Sequence, residues 1–90
     1  MIAAIPESDV RSTLRHFILD NFYVANPTRL SDEASLLDSG IIDSTGVLEL
    51  VGFLEHELGL TVSDAELVPE NLDSLSRLVA FVERKRREGP

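Results

Sequence analysis

The chain of 90 residues has no cysteine, one methionine and one tyrosine. Without cysteine it can build no disulfide, no thiolate nucleophile and no cysteine-ligated zinc cluster. Bases are also scarce: eight stand against sixteen acids, for a net charge of -8. An acidic body excludes the simplest routes to nucleic acid and to anionic membrane, and it favours a partner with a basic surface. No apolar run approaches the roughly 20 residues of a membrane span. The opening stretch MIAAIPESDVR does not read as a signal peptide, because its apolar run ends at Pro6 and no base precedes it. These absences lead to the expectation of a cytoplasmic, monomeric domain spanning 1–90, with disordered tails at 1–6 and 88–90.

The two histidines bring no constellation with them. His56 lies between two acids with no second ligand placed, and His16 adjoins Phe17 on an amphipathic stretch. Asp32-Glu33 lacks calcium-loop spacing. No serine is accompanied by a histidine and an acid in a pattern that would support a hydrolase. Neither a metal site nor a catalytic residue is expected.

What the chain has is a graded charge and a strong helical period. Residues 1–76 carry fourteen acids and three bases, while residues 77–90 carry five bases and two acids. A basic last turn complements a helix dipole, which accounts for ERKRREGP more simply than a nucleic-acid tail does. About 43% of the residues are hydrophobic, enough for one small core. Val10, Leu14, Phe17 and Ile18, with Asn21 as a further candidate, form a stripe that predicts a first helix over 7–23. Val47, Leu50, Val51, Leu54 and Leu58 predict a second over 44–58, ended by Gly59. A short third helix is predicted around 65–70, capped by Ser63 or Asp64 and limited by Pro69. Leu75, Leu78, Val79 and Val82 predict a fourth over 74–87, capped by Asp73 or Ser74. Between the first two helices lies a long connection, about 25–43. Its Leu36, Leu37, Ile41 and Ile42 imply that it is packed down. Phe17, Phe22, Phe53 and Phe81 read as core or core-edge residues. The fold class is all-α: a small four-helix bundle with three longer helices, a short one before the last, and a long loop between helices 1 and 2.

Three Asp-Ser pairs punctuate this layout: Asp38-Ser39, Asp43-Ser44 and Asp73-Ser74. Ser39 precedes Gly40 in a turn, and Ser74 starts a helix that otherwise lacks a start signal. Ser44 has a different setting. It opens the strongest amphipathic helix directly after Ile41-Ile42, and Asp43 can cap that helix while the Ser44 hydroxyl points outward. Free N–H groups and the positive dipole end of a helix favour a phosphate there. The residues alone leave two readings open, a phosphoester site and plain capping.

The stretch SGIIDSTGVLELVGFLEHELGLTV resembles the core of acyl and peptidyl carrier proteins. Gly40, Asp43, Ser44, Glu49 and Leu50 match the family pattern of a glycine, apolar positions, Asp-Ser, and Glu-Leu in the following helix. The resemblance spans the chain, from the opening helix through LLDSG to ENLDSLSRLVAFVE. It implies that a phosphopantetheinyl transferase attaches 4′-phosphopantetheine from coenzyme A to Ser44. Asp43 would then act as helix cap and transferase contact. It further implies a stand-alone carrier that is not itself an enzyme. Such a carrier holds acyl or aminoacyl groups as thioesters for a loading ligase and for downstream acyl-transfer enzymes with basic docking surfaces. The thiol that the chain lacks would come from the arm.

Thr45, Gly46 and Gly52 depart from the family pattern, where larger or more polar residues are usual. This points to partners other than those of housekeeping fatty acid synthesis, in a dedicated secondary-metabolite or aminoacyl-transfer pathway. Thr45, Leu48, Glu49, Gly52, Glu55 and Glu57 form the expected recognition face. The competing expectation is a helical interaction module in which Asp43-Ser44 is only a cap.

Overall fold

The computed structural model describes residues 7–27 and 30–88. Of the tails expected at 1–6 and 88–90, residues 1–6 and 89–90 lie outside the described residues, while Glu88 is the last residue of the final helix. The described residues form a small helical bundle without a strand, with a long loop between its first two helices. None of the described helices is long and apolar enough to cross a membrane.

Helix α1 spans Glu7–Asn21. Val10, Leu14 and Ile18 recur on one face, and all three are fully buried. The helix stops before the expected residue 23. The Asn21 side chain is exposed rather than in the stripe, and it donates to the Phe17 carbonyl at 2.9 Å, satisfying one of the last-turn acceptors. Helix α2 spans Ser44–Glu57, with Leu58 as its C-cap. The chain turns away at Gly59, and the Leu60 N–H closes the end on the Leu54 carbonyl at 3.2 Å.

The short helix expected around 65–70 is instead two pieces. A 3-10 turn covers Asp64–Glu66, and α3 covers Pro69–Leu72. Pro69 opens α3 rather than limiting its predecessor, because the first turn of a helix needs no N–H there. Helix α4 spans Leu75–Glu88. Of the two candidate caps, Ser74 does the capping: its Oγ accepts the Arg77 N–H at 3.1 Å, and the residue is buried. Lys85, Arg86 and Arg87 fall in the last turn, where positive charge suits the dipole.

Helix α4 is central to the packing, with α1 and α3 against it. Leu75, Leu78, Phe81 and Val82 of α4 share one core with Leu50 and Leu54 of α2 and with the α1 stripe. The loop joins that core through Leu30, Leu36 and Ile42. Ile41 is half-buried, but Leu37, expected to pack down, is 39% exposed. Polar contacts fix the rest of the loop. Arg15 donates to the carbonyls of Leu30 at 2.6 Å and Pro27 at 2.7 Å. Arg11 pairs with Asp32 and holds its carboxyl below the usual value. The Ser76 N–H reaches the Asp32 carbonyl at 2.9 Å, and its hydroxyl donates to Glu33.

The aromatic residues stitch α1 to α2. Phe17 stacks on Phe53 with ring centres 4.2 Å apart, and Phe22 meets Phe17 edge-on at 5.9 Å. Phe22 also presses on the first turn of α2. A Cβ at Gly46 would stand 2.7 Å from its Cε1 and 3.2 Å from Ile42 Cγ2. Gly46 is therefore buried and required by close approach, and it is not part of an exposed face as its sequence position implied. Gly52 is the opposite case, with nothing within 4 Å of its missing Cβ.

Two stability predictions follow from this packing. Gly52→Ala raises stability by up to about 1 kcal/mol, the helix-propensity gain. Gly46→Ala lowers it by about 1 kcal/mol, since overpacking outweighs that gain. Urea unfolding measures both, and in a Phe22→Ala background the cost of Gly46→Ala disappears. The second prediction concerns acid. Glu66 accepts the Ser63 N–H at 3.0 Å and the Lys85 ammonium at 3.0 Å, and these bonds hold its carboxyl below the ordinary 4.5. The stability they confer is fully present above about pH 4.5 and is lost as pH falls through the depressed folded value. Glu66→Gln therefore lowers the urea midpoint at pH 7 and flattens its decline as pH falls below about 4.5. An unchanged acid slope in Glu66→Gln would assign the acid sensitivity elsewhere.

Candidate functional site

Ser44 is the first residue of α2. Asp43 precedes it in extended conformation, and its Oδ1 accepts the Gly46 N–H at 2.8 Å. Its carbonyl takes the Val47 N–H at 2.9 Å. Asp43 is thus the N-cap by both side chain and main chain, leaving the Ser44 side chain free of capping duty. Ser44 is exposed, and its hydroxyl makes no hydrogen bond among the described residues.

The other two serines are committed to structure. Ser39 Oγ donates to the Leu36 carbonyl at 3.2 Å, inside a turn closed by the Gly40 N–H on the Leu37 carbonyl at 3.1 Å. Gly40 has φ 77°, a left-handed conformation that costs glycine little and other residues much. Ser74 is the buried cap of α4.

Beside Ser44 opens a cleft of about 300 Å³. One wall is the loop, with Leu36, Leu37 and Ile42; the floor is Val47 and Leu50 of α2; the far wall is Leu67, Val68, Pro69 and Leu72 around α3. Leu37 and Val68 are partly exposed at its rim. None of the four phenylalanines lines it, so the shelter is aliphatic. Sequence reasoning did not identify these walls. Val68 and Pro69 come from the far end of the chain, and Leu37, expected to be packed down, stands at the rim.

Among the described residues no cation lines this cleft. A phosphate at Ser44 would gain from the helix dipole but find no ammonium or guanidinium in the cleft to hold it.

The expected recognition residues sit along α2. Thr45, Glu49, Glu55 and Glu57 are exposed, Leu48 is 67% exposed, and Gly52 is half-buried with open space above it. Glu55 has a structural partner as well, accepting the Val62 N–H at 3.1 Å. A larger pocket, about 700 Å³, lies at the other end of α2 and is lined by Leu58, Gly59, Lys85 and Arg86 among others. It is remote from Ser44, and the Glu66–Lys85 pair sits in it. Among the described residues no group of three histidine, aspartate or glutamate side chains is placed to hold a metal.

Comparison with known proteins agrees with this geometry. A family model described as a phosphopantetheine attachment site matches residues 12–82. A D-alanyl carrier protein of Streptococcus suis is 28% identical over 74 residues, 82% of this chain and 91% of its own length. A Serratia protein named "Probable acyl carrier protein PigG" is 28% identical over 75 residues, 83% of this chain and 86% of its own. An acyl carrier protein of Thermotoga maritima is 33% identical over 58 residues, 64% of this chain and 69% of its own. The chain belongs to the phosphopantetheine-attachment family and is a carrier protein whose prosthetic group is 4′-phosphopantetheine.

Proposed function

We propose that Ser44 is the attachment residue and that the chain is a stand-alone carrier of a dedicated pathway. The observation that carries the first part is the contrast among the three serines. Of the three, only Ser44 has an exposed hydroxyl with no hydrogen-bond partner among the described residues, at the start of a fourteen-residue helix. In the modification step, Ser44 Oγ forms a bond to the pantetheine-side phosphorus of coenzyme A. The pyrophosphate bond breaks, adenosine 3′,5′-bisphosphate leaves, and the hydroxyl proton passes to a base on the transferase. When attached, the arm supplies a terminal thiol for carrying acyl groups.

The chain's own residues supply the rest. Asp43 keeps the helix start closed so that Ser44 projects from a rigid end. Ile42, at 3% exposure, anchors the approach to it. The aliphatic cleft offers the arm or a small cargo an apolar refuge from water. The chain itself brings no catalytic constellation to the reaction, and the enzymes are its partners. Cytoplasmic residence suits those partners.

Two observations support a dedicated pathway. Thr45 and Gly52 make the exposed side of α2 smaller than the family pattern, although Gly46 no longer counts toward that face. The D-alanyl carrier relative points to aminoacyl cargo as one such use. Partner enzymes with basic surfaces would read Glu49, Glu55 and Glu57, with Leu48 as the apolar contact among them.

Co-expression with a broad-specificity phosphopantetheinyl transferase, followed by intact-mass measurement, tests the attachment. The wild type gains one phosphopantetheine, Ser44→Ala gains none, and Ser39→Ala and Ser74→Ala each still gain one. Ser74→Ala also loses about 1 kcal/mol of stability as a helix cap. Modification surviving in Ser44→Ala would sink the assignment. The acidic face is tested by titrating a loading enzyme at rising salt. Affinity falls as ionic strength passes the point where the screening length is about 8–10 Å. Binding that ignores salt would move recognition to Leu48 and Phe53.

A further inference from the structure

The residue that holds the loop before Ser44 comes from the far end of the chain. Asp73 follows α3 and precedes Ser74. Its sequence setting is that of a helix cap, but Ser74 performs that task. The Asp73 side chain turns instead to the long loop. One carboxylate oxygen accepts from Ser35 Oγ at 2.7 Å, and the other accepts the Leu37 N–H at 2.9 Å. Its main-chain carbonyl accepts the Leu36 N–H at 2.7 Å. One residue thus grips three consecutive loop positions.

The grip is passed on to the serine. Leu36, the middle of the three, is buried, and its carbonyl accepts the Ile42 N–H at 3.0 Å and the Ser39 hydroxyl at 3.2 Å. The turn that ends at Ile42 is therefore built on the residue that Asp73 holds. Ile42 leads directly into Asp43, the cap of α2, and so into Ser44. Asp73 also adjoins Leu72, which lines the opposite wall of the cleft from Leu36 and Leu37. Through its bonds to Leu36 and Leu37 and its peptide link to Leu72, Asp73 joins loop and α3 residues that line the cleft.

We propose that Asp73 is a positioning residue for the modification of Ser44. It fixes the loop to the α3–α4 junction and thereby sets where the Ser44 hydroxyl stands for the incoming transferase. The inference rests on the reading of Ser44 as the attachment residue. The chemistry orders the variants. An asparagine at 73 can still accept the Leu37 N–H through its oxygen and donate to the Ser35 hydroxyl through its nitrogen. An alanine keeps only the main-chain bond.

The test measures initial rates of phosphopantetheine transfer to the full apo chain, with purified transferase and coenzyme A. Asp73→Ala lowers kcat/KM on the order of tenfold, because a small displacement of a reacting group is costly. Asp73→Asn restores most of the loss. Lys85→Ala, which removes an ion pair at the remote end of α2, lowers the melting temperature but leaves kcat/KM as in the wild type. A wild-type kcat/KM in Asp73→Ala overturns the inference. So does a fall in Lys85→Ala that tracks its loss of stability in the same way. Circular dichroism checks the fold. If Asp73→Ala does not fold, Ser35→Ala decides: a smaller fall in kcat/KM is expected, and a wild-type rate counts against the inference. If the wild type takes up no phosphopantetheine, or Ser44→Ala still does, the carrier reading falls and the inference with it. Unchanged rates in the Asp73 variants beside a normal wild type and an inert Ser44→Ala remove the inference alone.

Discussion

Ile42 must be buried while Ser44, two positions later, must stand in water, and much of the structure is arranged around that step. Burying Ile42 and Leu36 stabilises the fold by roughly 1.5–3 kcal/mol each. The chain between them therefore cannot drift, and it has to turn within a few residues. Gly40 supplies the left-handed conformation, and Ser39 closes the turn on Leu36. Asp43 then ends the loop and begins α2 in one residue, with its side chain on the Gly46 N–H. A buried anchor followed at once by a capped helix start is a stiff support. Hydroxyl exposure at Ser44 follows from the anchoring of its neighbours, and loop flexibility is not needed to provide it.

The charge distribution complements that geometry. The first two-thirds of the chain is strongly acidic, and Asp43 brings a carboxylate to the helix start itself. That carboxylate opposes the attraction which the dipole end of α2 would have for a free anion. The same acidity is useful once the partner is an enzyme with a basic surface, where it steers the encounter. The bases concentrate on α4, where they serve the fold: Lys85 pairs with Glu66, Arg84 bonds Asn71 and lies over Phe81, and Arg77 reaches the Glu70 carbonyl.

The helices were legible in the sequence wherever an apolar stripe and a cap coincided. Val10, Leu14 and Ile18 placed α1, and Leu50 and Leu54 with Asp43 placed α2 at its observed start. The short segment after Gly59 was not, because Pro69 is compatible with ending one turn or starting the next, and only packing decides. Ser44 stood out from Ser39 and Ser74 for a local reason, the quality of the helix it opens. The cleft and Asp73 did not stand out. Leu37 reads as apolar and therefore buried, yet it lies at a rim whose other side is Val68. Asp73 has the sequence signature of a cap and the tertiary role of a clasp, and nothing within a few residues of it distinguishes the two.

The two glycines of α2 show how far a local departure from a family pattern can be read. Both weaken the helix by up to about 1 kcal/mol relative to alanine. At Gly46 the cost is offset by packing: the Phe22 ring reaches the first turn of α2, where a Cβ would stand 2.7 Å from it. Gly46 is therefore a packing residue, and its smallness says nothing about partners. At Gly52 no neighbour fills the space, so packing gives no reason for the glycine. Gly52 thus leaves open space on α2 one turn beyond the 67% exposed Leu48. Of the three positions that depart from the family pattern, packing accounts for Gly46 and leaves Thr45 and Gly52 without an internal contact that requires them.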